Sequence, residues 1–381
     1  MKLNVATFIA IGVKQGDAFF MEKDDRRLLI DGGNSVLTFP KQFVKVTGKT
    51  HVDVMVCTHN DSDHARGILG FLKGRLVAKE VWLPASWMDR LSDLICNPEN
   101  FWKELVADIE KLKVNRVEDL ESLGEMYAMM MFESEGSPIE VNAENLFKEI
   151  QRNLRACPSF TFPFWKKSFN LWSCDKRCRL IIDAAKASNL IRKIVLAAYF
   201  SGSLIRWFDY VGNSKNLSSF GGISDFLVPV NAVEVAQIRR RKRSALEYVA
   251  LTRVNRQSLV FISPRDGLSS GVLFTADSDL SFHQPIPWHE QMIITSPHHG
   301  SEDNSHAYTR FIKETQGELD VVWVRSDRRL SHRPGKSYLT INGSKYCTVC
   351  RGSKLNTQNV RLSFSKFSKA WQPNNTQRCQ C

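Results

Sequence analysis

Apolar and polar positions divide the chain into two strand-rich stretches separated by a long segment with helical spacing. Leu3–Val13 and Ala18–Glu22 read as strands flanking the turn-like Lys14-Gln15-Gly16-Asp17. Arg27–Asp31 is a buried strand running into Gly32-Gly33, where the backbone must turn tightly or approach something closely. Val52–Cys57 is a continuous apolar run, Ala65–Leu72 begins a helix, and Val77–Leu83 is a strand. From about Pro84 to Asn216 the pattern changes. Phe101–Lys113, Glu144–Leu154 and Leu180–Ala197 carry helical spacing, and Arg206–Val211 a strand. Strands then return at Ser258–Ser263 and Gly271–Ala276, joined by the turn Pro264-Arg265-Asp266-Gly267, and at Met292–Thr295 and Val321–Arg325. A helix over Ser305–Thr315 lies between the last two, and Tyr338–Asn342 is read as a further strand. The expected architecture is α/β, two packed sheets with helices on both outer faces. Its parts are 1–83 (first half), 84–216 (mainly helical insertion), 217–345 (second half) and 346–381 (a cysteine-containing C-terminal tail).

Composition narrows the class. The 381 residues are 43% hydrophobic and 24% charged, as in a soluble globular protein. The formal net charge of +12 favours an anionic partner, nucleic acid first and phosphorylated small molecules second. Its densest run is Arg239-Arg240-Arg241-Lys242-Arg243, read either as a phosphate-contacting patch or as a solvated face. The nine cysteines are odd in number and scattered, which points to reduced thiols and a cytoplasmic location. No membrane span is expected: Ile194–Ile205, the longest later apolar run, is hemmed by Arg192, Lys193 and Arg206 and is too short. The insertion is read as shaping a substrate groove or an oligomer contact.

The chemistry concentrates after Val52–Cys57, in Thr58-His59-Asn60-Asp61-Ser62-Asp63-His64. His59, Asp61, Asp63 and His64 are potential metal ligands, and a short loop after a strand can turn them toward one point. Mixed imidazole and carboxylate donors suit zinc, in one or two ions, with manganese or iron as alternatives. The bland alternative is a polar turn capping the next helix. Two later clusters repeat the arrangement of apolar strand followed by ligand: Asp277, and the pair His298-His299. Strand ends on one edge of a sheet converge, so three such clusters can build one centre.

His-x-Asp-x-Asp-His resembles the metallo-β-lactamase signature of ComEC-type competence-protein hydrolase domains. Other segments of this chain resemble further elements of that pattern: Gly12–Ala18, Leu29–Gly33, Asn255–Val260, Ala276-Asp277, His298-His299-Gly300-Ser301 and Ser331-His332-Arg333-Pro334. The resemblance covers about residues 3–72 and 250–340. It implies a four-layer αββα sandwich and a metal-dependent phosphodiesterase acting on DNA or RNA through metal-activated water. A small-molecule hydrolase and a nucleic-acid-binding subunit with a degenerate site are the other readings. Site one would then use His59, Asp61 and a bridging Asp277. Site two would use Asp63, His64, Asp277 and one histidine of the pair. Asp63 would orient the water or hold its proton. His298, nearer the strand end, is the preferred ligand and His299 would bind substrate or donate a proton, or the two histidines exchange these roles. His332 is a candidate phosphate or transition-state contact or else a surface histidine, and the Asp17 and Asp31 turns are structural elements whose carboxylates could orient ligands. The pattern departs from most such folds in one respect, since no histidine lies between His64 and His283. Cys347, Cys350, Cys379 and Cys381 are either a structural zinc site pinning the tail or ordinary thiols.

Overall fold

Short β-rich runs bounded by glycine turns form the sheets, and amphipathic segments cover them. In the computed structural model, residues 6–112, 119–130, 139–142, 148, 176–240, 243–327, 333–350 and 357–379 are described. Two units emerge: Met1–Pro84 with Ala197–Glu234 and Asn255–Cys381, and Ala85–Leu196 with Val235–Val254.

The first unit holds two mixed sheets. Their strands are β1 (Thr7–Ala10), β2 (Phe19–Lys23), β3 (Arg26–Ile30), β4 (His51–Val56) and β5 (Val77–Pro84), with β6 (Ile139–Asn142) belonging to the second unit. Next come β7 (Leu204–Tyr210), β8 (Val228–Pro229) and β9 (Ala232–Glu234), then β10 (Gln237–Arg240), again in the second unit. The chain continues through β11 (Phe261–Ser263), β12 (Val272–Phe274), β13 (Ile293–Thr295), β14 (Val322–Arg325), β15 (Ser344–Cys347), β16 (Val360–Ser365) and β17 (Ala370–Pro373). The nine-stranded sheet runs β17-β16-β1-β2-β3-β4-β5-β7-β9, and the six-stranded sheet β15-β14-β13-β12-β11-β8. β3, β4, β5 and β7 are parallel in the first, and β12 to β15 in the second.

The sheets face each other across one apolar core. Phe8, Phe19, Met21, Leu28, Val54 and Trp82 from one sheet meet Phe261, Val272, Phe274, Ile293 and Val324 from the other. Phe8 and Phe19 lie 6.2 and 6.3 Å, centroid to centroid, from Phe274. Helices cover the outer faces. On the large sheet Phe20 packs on Phe43 of α1 (Phe39–Thr47), which packs on Phe71 of α2 (Ser62–Lys73). On the small sheet Tyr308 and Phe311 of the helix Ser305–Thr315 pack on Trp323.

Several sequence-based expectations are revised. Residues 346–381 are not a tail: β16 pairs with β1 and β17 with β16, so the chain's end completes the large sheet. The strand near 206 lies outside the insertion, since β7 pairs in parallel with β5; conversely, Val235–Val254 joins the second unit. Tyr338–Asn342 is not a strand but the end of a helix, Lys336–Thr340, with Tyr338 buried in the small sheet's outer core. The helix after the ligand motif starts earlier than expected, at Ser62, with Asp61 as N-cap residue. The helix expected over 144–154 falls almost wholly outside the described residues.

The described residues of the second unit are mainly helical, with β6 pairing β10. Its helices include Leu91–Cys96, Pro98–Lys111, Leu120–Met130 and Ala245–Leu251. Arg90 makes a two-pronged ion pair with Glu104, and the Tyr248 hydroxyl donates to the Trp87 carbonyl (2.7 Å). Among the described residues of both units, no helix is long and apolar enough to cross a membrane.

Candidate metal centre

Parallel strands put their C-terminal ends on one edge, and here five such ends supply the same place. β3 leads to Asp31, β4 to His59 and the first turn of α2, β12 to Asp277, β13 to His298 and His299, and β14 to Ser326. The β1–β2 connection adds Asp17. Two close backbone approaches hold the frame. A Cβ on Gly67 would lie 1.8 Å from the Gly32 carbonyl oxygen, and one on Gly16 would lie 1.6 Å from that of Asp63. Only glycine lets α2 and the β1–β2 turn come this near.

Asp277 is the common point. Its carboxylate lies 3.6 Å from His59 Nε2, 3.1 Å from His64 Nε2, 3.8 Å from His298 Nε2 and 3.7 Å from His299 Nε2. Donor atoms of His59, Asp61 and Asp277 lie within 4.8 Å of one another, and so do those of Asp17, His64, Asp277 and His299. Asp63 Oδ2 sits 3.6 Å from His299 Nε2. The loops after β4, β12 and β13 therefore meet as the strand-end pattern requires.

The opposite face of each imidazole is anchored. Thr58 Oγ1 donates to Asp31 Oδ2 (2.7 Å), so it accepts from His59 Nδ1 (3.0 Å). His64 Nδ1 donates to Asp31 Oδ2 at 2.8 Å. His299 Nδ1 faces the Ser326 carbonyl (3.0 Å) and Asp17 (3.1 Å); a carbonyl only accepts, so this nitrogen carries a proton. With Nδ1 protonated, each Nε2 lone pair is left for a cation. The Nε2 atoms of His59, His64 and His299 and Oδ1 of Asp277 are buried and, among the described residues, make no hydrogen bond of proper geometry. Such atoms are costly to bury unless something binds them. This donor set fits a zinc-type ion.

Electrostatics agree. Burial pushes the His64 and His299 imidazoles toward neutrality, but Asp277 with Asp31 around the first, and Asp17 with Asp277 around the second, lift both well above the ordinary range. Burial pushes the Asp277 carboxyl up, yet His64, His298 and His299 outweigh it and hold it well below the usual range. Asp63 is likewise held low against burial by His299 and His64. In Asp17, burial dominates and raises the carboxyl. A pocket that retains positive charge this strongly has the field of a cation site.

Backbone strain collects here as well. Asp31, Ala276, His298 and His299 have φ of 56°, 48°, 45° and 57°. Left-handed backbone costs a non-glycine residue about 1–2 kcal/mol, and these four positions lie in the loops that carry the cluster's donors.

Within the histidine pair the structure reverses the sequence-based preference. His299 is buried in the ligand-capable group, whereas His298 Nε2 accepts from Arg333 (3.0 Å) and its Nδ1 faces Asn304 Oδ1 (3.0 Å). A nitrogen engaged by a guanidinium is not offered to a cation. Asp63 and His64 also lie in the first turn of α2 rather than in a loop, where the helix N-terminus favours a carboxylate. His332 lies outside the described residues; its neighbour Arg333 reaches His298 Nε2 (3.0 Å) and lies 3.7 Å from Asp327. The sequence marked Arg333 only as an interruption between His332 and Pro334. Of the basic run, Arg239 and Arg240 are on β10, Arg241 and Lys242 lie outside the described residues, and Arg243 turns inward to Asp89 (3.1 Å). Arg243 is thus lost to a phosphate-contacting surface, because a buried carboxylate neutralises it. Cys347, Cys350 and Cys379 come together, while Cys381 lies outside the described residues.

No known family model matches the chain, and no curated protein matches it either.

Proposed function

We propose that this chain is a metal-dependent phosphodiesterase acting on DNA or RNA, on a metallo-β-lactamase-type αββα sandwich with the ligand pattern of ComEC-type hydrolase domains. One observation carries this reading: ligands from three distant strand ends meet around Asp277 with their Nε2 atoms turned inward and their Nδ1 atoms anchored. His59, Asp61 and Asp277 would hold one ion, and His64, His299, Asp277 and Asp17 a second. Such an ion supplies Lewis acidity and lowers the pKa of water from about 15.7 to about 7, making a nucleophile at neutral pH.

The chain's own groups do the rest. Asp63, ionised and partly exposed beside His299, orients the attacking water by accepting its hydrogen bond. Arg333, next to His298, is placed to hold a phosphate oxygen, and a guanidinium matches that geometry. His298, fixed through Nδ1 by Asn304 Oδ1, holds the Arg333 guanidinium on that side through Nε2 and so positions it. The net charge of +12 supports a polyanionic substrate.

A second reading, hydrolysis of a small phosphoester or lactone on the same centre, is favoured by the inward pairing of Arg243 with Asp89. Cleavage of labelled single- and double-stranded DNA and RNA across a salt series separates the two. Polynucleotide cleavage should weaken steeply with salt, and the Asp63→Ala variant should bind polynucleotide but not turn it over. Salt-insensitive hydrolysis of a small ester with no polynucleotide cleavage would overturn the nucleic-acid reading.

A further inference from the structure

The end of β15 and the segment after β17 bring three sulfurs together. Cys347 and Cys350 are buried at the two ends of Cys347-Thr348-Val349-Cys350, and Cys379 joins them from the far end of the large sheet's edge. Cys379 Sγ lies 3.1 Å from Cys347 Sγ and 3.8 Å from Cys350 Sγ, with all three within 4.8 Å of one another. A zinc–sulfur bond of about 2.3 Å gives a tetrahedral sulfur–sulfur edge of about 3.8 Å, whereas a disulfide needs about 2.05 Å and uses only two of the three. Two residues between the first pair is the spacing of a zinc knuckle.

The backbone around the sulfurs is fixed. The Thr348 amide donates to the Arg325 carbonyl (2.9 Å), Arg325 donates from its guanidinium to the Val349 carbonyl (2.6 Å), and Gln358 donates from its side chain to the Cys347 carbonyl (2.9 Å). The Cys379 amide donates to Lys345 in β15 (2.8 Å). Three sulfurs are therefore presented by a braced turn and a braced strand end.

We propose that Cys347, Cys350 and Cys379 bind a structural zinc ion, separate from the Asp277 centre, that ties the edge of the small sheet to the C-terminal edge of the large one. Binding displaces the thiol protons, and the fourth tetrahedral position is left to a further donor. The same turn braces β14, whose next residue, Ser326, presents the carbonyl that orients His299. The sulfur site thus supports the other centre without touching its cation.

Cobalt substitution of the full chain tests this. The Asp277 centre has only nitrogen and oxygen donors, so a thiolate-to-cobalt charge-transfer band reports the sulfur site alone. Wild type and Asp277→Asn should both show the band, saturating with one sulfur-bound cobalt per chain, and Cys350→Ser should lose it. No band in wild type, or an undiminished band in Cys350→Ser, overturns the site. Should Cys350→Ser not fold, mercurial titration of zinc-loaded wild type decides: metal release in step with thiol modification supports the site. Complete modification without release, or a Cys347–Cys379 disulfide in the unreduced protein, overturns it.

Discussion

Asp31 is fully buried and touches no reacting group, yet replacing it with Asn should weaken metal binding. Its Oδ1 accepts from the Thr58 amide (2.9 Å), and its Oδ2 from the Thr58 hydroxyl (2.7 Å) and His64 Nδ1 (2.8 Å). The amide of Asn has the same size but only one accepting oxygen. If that oxygen stays on the Thr58 amide, an NH2 group meets two donors, and His64 escapes by moving its proton to Nε2. The lone pair aimed at Asp277 is then gone. If the side chain flips instead, the buried Thr58 N–H is orphaned at about 1–3 kcal/mol. Losing an orienting partner of this kind costs about 10–100-fold in metal affinity, or about 1.4–2.7 kcal/mol. Competition of zinc against a chromophoric chelator measures it, with circular dichroism showing that the variant is folded. A folded Asp31→Asn variant with an unchanged dissociation constant would refute the role given to Asp31 and the tautomer given to His64.

The remaining expectations follow the same geometry. His299→Ala should lose metal from the group it shares with Asp17, His64 and Asp277, while His298→Ala should keep its metal and lose turnover; metal analysis of both proteins decides, and the opposite pattern would restore His298 as the ligand. Arg333→Ala should weaken polynucleotide binding on all sequences and reduce the slope of log affinity against log salt by about 1, since one phosphate contact is removed; an unchanged slope argues against contact. Gly67→Ala sets a Cβ against the Gly32 carbonyl, backbone against backbone, so its cost should reach or exceed the about 1–3 kcal/mol of ordinary overpacking. A urea midpoint equal to wild type would show that α2 can move away.

Much of the centre was legible because its ligands obey a local rule, an apolar strand followed at once by a donor. His59, His64 and Asp277 could each be found that way, and β12 to β14 are short, fully buried runs that composition alone marks. The order within His298-His299 was not legible. Both follow β13, and which imidazole faces inward is set by a left-handed turn and by Arg333, neither of which a pattern of apolar positions encodes. The last strands carried a readable signal that the tail reading passed over: Val360, Leu362 and Phe364 alternate with Arg361, Ser363 and Ser365 over β16, the period of a half-buried strand. Tyr338 misled for a related reason. An aromatic beside apolar neighbours suits a strand, but Glu302 accepts from the Ser337 amide and hydroxyl and helps start a helical turn there.

The most direct test is metal-dependent cleavage of polynucleotide by wild type against Asp277→Asn, each stripped of metal and then supplied with zinc or manganese. Cleavage that appears only on adding metal, and is absent from a folded Asp277→Asn protein, is the expected result, because both ligand groups of that centre share this carboxylate. Equal cleavage by the variant, or cleavage by the stripped wild type, would contradict a shared cation at Asp277.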